Sequence, residues 1–346
     1  MQIREIKENE KDKWDEFIIN SPNSHIFQSY GWGEVMHLLG WEPIRLVLEE
    51  GNEIKAVVNI LKKRIMLTSL SVQYCPRGPV FASVNEETIK EVLINLKDIS
   101  RLHHVIELKI SPDINFDSSF KQVFINEQFQ HSSRYALHRY TFRINLKKSV
   151  DELLAGMEKR TRNAIRKAEK KELRLNSQNR EEEFNIFYNL HRQTGSRQKF
   201  NIPPFQLIKS VWQILASKKQ AYIFIMEYNN VPVSGAFILS FGGKCWYLWG
   251  ASNQLYPEAN PSELLQWEII KWAKSQGYLV YDLFGCDNIN ETDKKISGVT
   301  LFKRGFGGEF TELIGEYDYI PSPILDWGWR CFSPIYQKIR RLLVRL

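Results

Sequence analysis

The sequence predicts an α/β (α+β) protein in which one mixed unit of sheet and helix occurs twice in tandem. Three observations carry this. The order meander, helix, strand can be read in each half of the 346-residue chain. Apolar residues make up 43%, with 10 Trp, 14 Tyr and 20 Phe, which suits well-packed cores rather than disorder. The length exceeds what one small core organises, and no low-complexity linker interrupts it, so two domains are expected to pack together.

In the first half, Ile44 to Glu49 reads as a strand, Glu50-Gly51-Asn52 as a turn and Ile54 to Leu61 as the hairpin partner. A short strand near Gly78 to Phe81, a helix from about Asn85 to Leu102 and a buried strand from Val105 to Ile110 follow. The boundary is expected near Leu146-Lys147-Lys148. Beyond it, Ser149-Val150-Asp151-Glu152 has capping-box spacing and opens a helix expected to reach about Glu172. Leu153, Leu154, Met157, Thr161, Ala164, Ile165 and Ala168 form its apolar stripe. In the second half, Tyr222 to Tyr228, Val231 to Phe241 and Lys244 to Trp249 form the meander, turning at Asn229-Asn230 and Gly242-Gly243. Asn260-Pro261-Ser262 introduces a helix with Leu265, Ile269, Trp272 and Ala273 at helical spacing and Gly277 as its stop. Tyr278 to Leu283 is the closing buried strand.

Composition narrows the function. A net charge of +7 favours a polyanionic partner such as nucleic acid, anionic lipid or a phosphorylated substrate. Cys75, Cys245, Cys286 and Cys331 lack paired spacing, and His103-His104 lack a partner at ligand spacing, so neither disulfides nor a metal site is expected. There is no Walker loop, dinucleotide fingerprint or Gly-x-Ser-x-Gly elbow. The charged N-terminus and the lack of an apolar run approaching ~20 residues read as soluble and cytoplasmic.

Four stretches hold candidate chemistry. The helix after Ser149 carries Lys159, Arg160, Arg162, Arg166, Lys167, Lys170 and Lys171, few of them matched by acids, a pattern that fits either a phosphate-backbone footprint or a solvated face. Arg197 sits in a Gly- and Pro-bounded stretch from Thr194 to Pro204, where it can fork onto a phosphate or remain a surface arginine. Gly298 to Gly308 sets Lys303 beside Phe302, ahead of three glycines. One reading is a cation walled by aromatics that stabilises negative charge in acyl or phosphoryl transfer; the other is a hairpin with a solvated Lys-Arg pair. After Pro334, Ile335, Tyr336, Ile339, Leu342, Leu343 and Leu346 share one helical face, with Lys338, Arg340, Arg341 and Arg345 elsewhere and Trp327, Trp329 and Phe332 upstream. That pattern fits an interfacial membrane anchor over residues 327–346 or a terminal helix packed on the protein.

Taken in order, several blocks resemble the FemABX family of non-ribosomal peptidyltransferases, across nearly the whole chain. They are Ile26-Phe27-Gln28-Ser29-Tyr30-Gly31-Trp32-Gly33, Tyr74 to Val80, Lys159 to Ala168, Tyr247-Leu248-Trp249-Gly250-Ala251-Ser252, Tyr281-Asp282-Leu283-Phe284-Gly285 and Phe302-Lys303. The resemblance implies two tandem acetyltransferase-like (GNAT) domains, 1–147 plus about 315–346 and 148–314. It implies transfer of an amino acid from aminoacyl-tRNA, as co-substrate and without a further cofactor, to a stem-peptide amine of a peptidoglycan precursor, lipid-linked or nucleotide-linked. The setting it implies is cytoplasmic, at the inner membrane face. By the same resemblance Lys303, beside Phe302, matches a lysine that stabilises the acyl-transfer transition state. Arg197 and Tyr247 match positions that hold the phosphorylated acceptor, and Lys159, Arg162 and Arg166 fall where tRNA contacts are expected. No histidine stands out as the proton acceptor. Two positions depart from the pattern: Met36 replaces a lysine found in members using nucleotide-linked acceptors, and Ser111 before Pro112, with Asp113 nearby, replaces an acid. The chain is also too short for the long helical arm of some members. The rival readings are an acyl-CoA-dependent N-acyltransferase, whose pyrophosphate turn Arg304-Gly305-Phe306-Gly307-Gly308-Glu309 approaches, and a non-enzymatic RNA- or membrane-binding protein.

Overall fold

The computed structural model describes residues 1–65, 68–102, 104–291 and 295–332. The chain divides into one unit of residues 1–137 with the chain from 314 onward, and a second of residues 138–313. The first boundary lies ahead of Leu146-Lys147-Lys148 because strand Tyr140–Asn145 is hydrogen-bonded into the second unit's sheet.

In the first unit the sheet runs, in spatial order, Gln2–Glu5, Glu42–Glu50, Glu53–Arg64, Ser71–Arg77, Val105–Pro112, Tyr317–Tyr319 and Gln130–His131. The short strand Val80–Phe81 pairs with Glu53–Arg64. Ser71–Arg77 and Val105–Pro112 are parallel, which requires a crossover; helix Glu86–Leu102 supplies it. Its buried Ile89, Val92, Leu93 and Leu96 follow helical periodicity and meet Val58, Ile60, Leu108 and Ile110 in the core.

The second unit has the same plan. Its sheet runs Leu173–Asn176, Ala221–Tyr228, Val231–Phe241, Lys244–Ser252, Val280–Asp282, Tyr140–Asn145 and Glu309–Glu312. Lys244–Ser252 and Val280–Asp282 form its parallel pair, joined through helix Pro261–Ser275. Leu264, Leu265, Ile269, Ile270 and Ala273 of that helix pack on Phe224, Ala236 and Ile238. In both sheets the strand beside the second parallel strand comes from outside the local meander–helix–strand segment, so the internal repeat extends to strand order.

The helix expected to run unbroken from Ser149 is two, Val150–Ala155 and Lys159–Ala168. Ser149 does form the capping box. Glu158 then takes an extended conformation (φ −60°, ψ 146°) and its N–H donates to Gly305 O at 2.9 Å, outside the helical ladder. Leu153, Met157, Thr161, Ile165 and Ala168 are buried, so the apolar stripe survives the break.

Candidate active site

Lys303 is not on a solvated hairpin. It lies near the end of helix Gly298–Arg304 and is 8% exposed. The helix is started by Ser297, whose Oγ accepts from Thr300 N, while the Asp287 carboxylate accepts from Ser297 N (2.7 Å) and Thr300 Oγ1 (2.8 Å). The Lys303 ammonium donates to Phe284 O and, at 2.6 Å, to Gly285 O. Those carbonyls are aimed inward because the chain leaving Val280–Asp282 turns with positive φ at Phe284 (52°) and Gly285 (33°). Buried Asp282 holds the turn: it accepts from Phe284 N (2.8 Å), Arg143 Nε (2.9 Å) and Thr141 Oγ1.

Burial pulls the Lys303 ammonium down to about 8, against the opposing influence of Cys286, Asp282 and Asp287. Its Nζ lies 5.9 Å from the centroid of the Tyr247 ring, at the edge of cation–π range. Tyr247 reaches that place through a bulge. Pairing jumps from Phe237↔Trp249 to Ile238↔Tyr247, leaving Leu248 unpaired, and the phenol folds over Gly250, where any Cβ would strike it. Burial raises the Tyr247 phenol far above its ordinary range, with Gln266 opposing, so it serves as a neutral hydroxyl. Phe302 points elsewhere: its ring meets Phe306 edge-on at 5.0 Å and packs on the core.

The structure thus brings Lys303 and Tyr247 together. Arg197 acts at the far end of the same strand. Its Nη1 donates to Ser252 O (2.8 Å) and its Nη2 to Ser252 Oγ (3.2 Å), two residues beyond the Gly250 over which the Tyr247 phenol folds. The neighbouring His191, buried and unnoticed in the sequence, bonds Gly250 O through Nδ1 at 3.0 Å. Met36 is half-buried on helix Tyr30–Leu38 of the first unit, where Ser111 and Asp113 are buried at the end of Val105–Pro112.

The basic helix divides. Lys159, Arg160, Arg166, Lys167 and Lys170 are exposed and carry no ion pair among the described residues. Arg162 does not belong with them: its Nη1 donates to Ala155 O (3.1 Å) and Met157 O, capping the carbonyls that the helix break releases. The glycines after Lys303 also differ from expectation. A Cβ on Gly305 would strike Thr161 Oγ1, and one on Gly307 the Gly156 carbonyl. They admit the broken helix rather than a ligand, and the turn closes a helix instead of opening one. Helix 323–332 exposes Ile324 and Trp327 (81% and 71%), whereas the apolar face expected over 335–346 lies outside the described residues. No helix among the described residues is long and apolar enough to cross a membrane.

Two sheets of one strand order, the second ending its parallel pair at a clamped, buried ammonium, define the class: a transferase on a tandem acetyltransferase-like fold. Residues 9–134, 129–207 and 205–333 match the FemAB family, and the chain belongs to it. The chain is 25% identical to a lipid II:glycine glycyltransferase of Staphylococcus epidermidis over 402 aligned positions, covering 96% of this chain and 94% of that protein. It is 23% identical to the Staphylococcus aureus protein of the same name over 407 positions, with the same coverage. Both alignments are longer than this chain, so those relatives carry inserted residues that it lacks. The crystal structure of FemX matches with a TM-score of 0.82 and 23% identity over 98% of this chain and 100% of that one. A tandem GNAT protein from the clavulanic acid pathway matches with a TM-score of 0.56 at 8% identity, over 93% and 99%.

Proposed function

We propose that this protein transfers an amino acid from aminoacyl-tRNA to an amine on the stem peptide of a lipid-linked peptidoglycan precursor. The observation that carries the reading is the Lys303 ammonium, fixed by two backbone carbonyls beside Tyr247. Attack of an amine on an ester carbonyl concentrates charge on one oxygen, and a preorganised, poorly hydrated cation stabilises that oxyanion without reorganising. Tyr247 and Arg197, on or against one strand, are the groups proposed to meet the phosphorylated acceptor, and holding both substrates in register lowers the barrier further. Phe302 supports the helix that presents the lysine.

The names of the relatives support a lipid-linked acceptor, as does Met36 in place of a phosphate-binding lysine. The exposed row Lys159, Arg160, Arg166 and Lys167 suits the tRNA backbone. Exposed Trp327 and Ile324, followed in sequence by Arg330, Lys338, Arg340, Arg341 and Arg345 without an acid, suit peripheral contact with anionic lipid at the inner membrane face.

The test offers purified protein a set of charged tRNAs with lipid-linked or nucleotide-linked precursor, and acetyl-CoA with the same acceptors, reading products by mass. An aminoacylated lipid-linked product is expected. Acetylation without any response to aminoacyl-tRNA would replace the reading with the acyl-CoA one.

A further inference from the structure

A second ionisable group stands at the corner that holds Lys303. His138 opens the second unit and is exposed. Its ring lies against the Cα of Gly285, the residue whose carbonyl holds the ammonium: a Cβ there would sit 2.9 Å from Nε2 and 2.7 Å from Cγ. Two residues further on, the backbone is hydrogen-bonded to the same loop. Cys286 N donates to Tyr140 O at 3.0 Å and Leu283 N to Phe142 O at 2.9 Å. Gly285 O is 2.6 Å from Lys303 Nζ, so standard bond lengths keep the imidazole Nε2 within about 9 Å of the ammonium. A tetrahedral centre that hydrogen-bonds a base through its nitrogen and a cation through its oxygen spans about 7 Å.

We propose that His138 is the proton acceptor of the transfer reaction, receiving the proton of the attacking amine while Lys303 holds the oxyanion. The inference rests on the aminoacyl-transfer reading above. The neutral amine attacks the ester carbonyl carbon and forms the C–N bond. His138 takes one proton from the resulting ammonium centre. The C–O bond to the tRNA ribose then breaks, and the same proton returns to the departing oxygen, so the imidazole is regenerated and amide and free tRNA leave. Asp287 supports the role. Burial pushes its carboxyl up, but the donors from Ser297 and Thr300 and the nearby His138 outweigh that and hold it as an anion, suited to stabilise an imidazolium nearby. The other titratable groups at this corner are Cys286, whose thiol burial raises to about 12, Asp282, which is committed to Arg143 and Thr141, and Lys303 itself.

The experiment compares wild type, His138→Gln and His138→Ala, measuring kcat/KM from pH 5.5 to 9, with thermal melting and tRNA binding as checks of folding. The expected result is a fall of about 10²-fold or more in kcat with KM little changed. The acid limb that an imidazole sets between pH 5 and 8 should disappear, and added imidazole should restore turnover to the Ala variant. Folded variants with wild-type turnover would overturn the proposal, and so would slow variants that keep the acid limb and do not respond to imidazole, since a merely structural histidine behaves that way. If wild type itself fails to use aminoacyl-tRNA, the transfer reading falls first, and His138 with it.

Discussion

Replacing Lys303 by methionine separates catalysis from stability. In the fold the ammonium titrates at about 8 instead of 10.5, chiefly because it is buried. That drop corresponds to on the order of 3 kcal/mol of destabilisation while the group is charged in both states. Between about pH 8 and 10.5 the unfolded chain holds a proton that the folded one has released, so stability rises with pH there. Below pH 8 the full cost is present. Methionine removes the cost but leaves the carbonyls of Phe284 and Gly285 without their donor, at about 1–3 kcal/mol each. Near pH 7 the two effects roughly cancel, and the variant should melt within a few degrees of wild type. Its turnover should fall by about 10²–10³-fold, as when an oxyanion donor is removed. Wild-type turnover should also decline as pH rises through about 8, where the ammonium is lost. The assays are product mass from aminoacyl-tRNA and lipid-linked precursor, and urea unfolding from pH 6.5 to 10. A variant retaining a tenth of wild-type turnover would refute the role of the lysine. A stability gap between the two proteins that does not move with pH would refute the burial argument.

Other expectations follow from the same contacts. Arg162→Gln should cost about 1.5–3 kcal/mol in urea unfolding, because it strips a charged donor from Ala155 O and Met157 O, whereas Arg166→Gln should leave stability within about 0.5 kcal/mol. The triple variant of Lys159, Arg166 and Lys167 to Gln should flatten the salt dependence of tRNA binding by a slope of about 3 without changing the melt; an unaltered slope would return this face to solvent. Gly307→Ala should destabilise by at least about 2 kcal/mol more than Gly277→Ala. Both have positive φ (74° and 80°), but only Gly307 faces a backbone atom, so equal losses would mean the helix break tolerates displacement. Tyr247→Phe keeps the ring near Lys303 and should chiefly raise KM, read from initial rates at varied acceptor.

Much of the fold was legible because its signals are side-chain periodicities. Both hairpins, both crossover helices and the buried strands behind them fall within a few residues of expectation. Strand Ser71–Arg77 was missed because its inward face is largely polar: Ser71 and Gln73 are buried there, ahead of Cys75 in the core. That face belongs to a hydrogen-bonded interior, in which Gln28 Nε2 donates to Pro76 O (2.7 Å) and its Oε1 accepts from Asn59 N (2.8 Å). The helix break at Glu158 was invisible for another reason, since its cause lies nearly 150 residues on, at Gly305. At the site, Lys303 and Tyr247 could be picked out, but the clamp could not. It is built from backbone carbonyls, which have no sequence signature beyond the Asp282–Gly285 turn that aims them. Arg162 looked like its basic neighbours because a cap and a free cation are the same letter. His138 is a lone histidine without a motif, and only Gly285, which has no room for a side chain beneath the ring, marks its place.

The two copies of the fold also serve as a control on the meaning of Lys303. In the first unit, helix Ser118–Asn126 follows the second parallel strand, as Gly298–Arg304 does in the second. The earlier helix buries Phe124 completely, stacked on Tyr317 at 4.4 Å, a packing that stabilises by about 1.5–3 kcal/mol. The later one buries an ammonium that costs on the order of 3 kcal/mol at neutral pH. Folding accounts for the phenylalanine outright, whereas the lysine's burial cost is only offset by the two carbonyls it caps, so packing alone gives no reason to prefer it to an apolar side chain. A local breach of packing rules, held by an anchored turn and two carbonyls, is the mark of a group kept for chemistry. By that standard Lys303, more than the exposed basic helix, is the residue on which the proposed acyl transfer turns, and it belongs to the second unit.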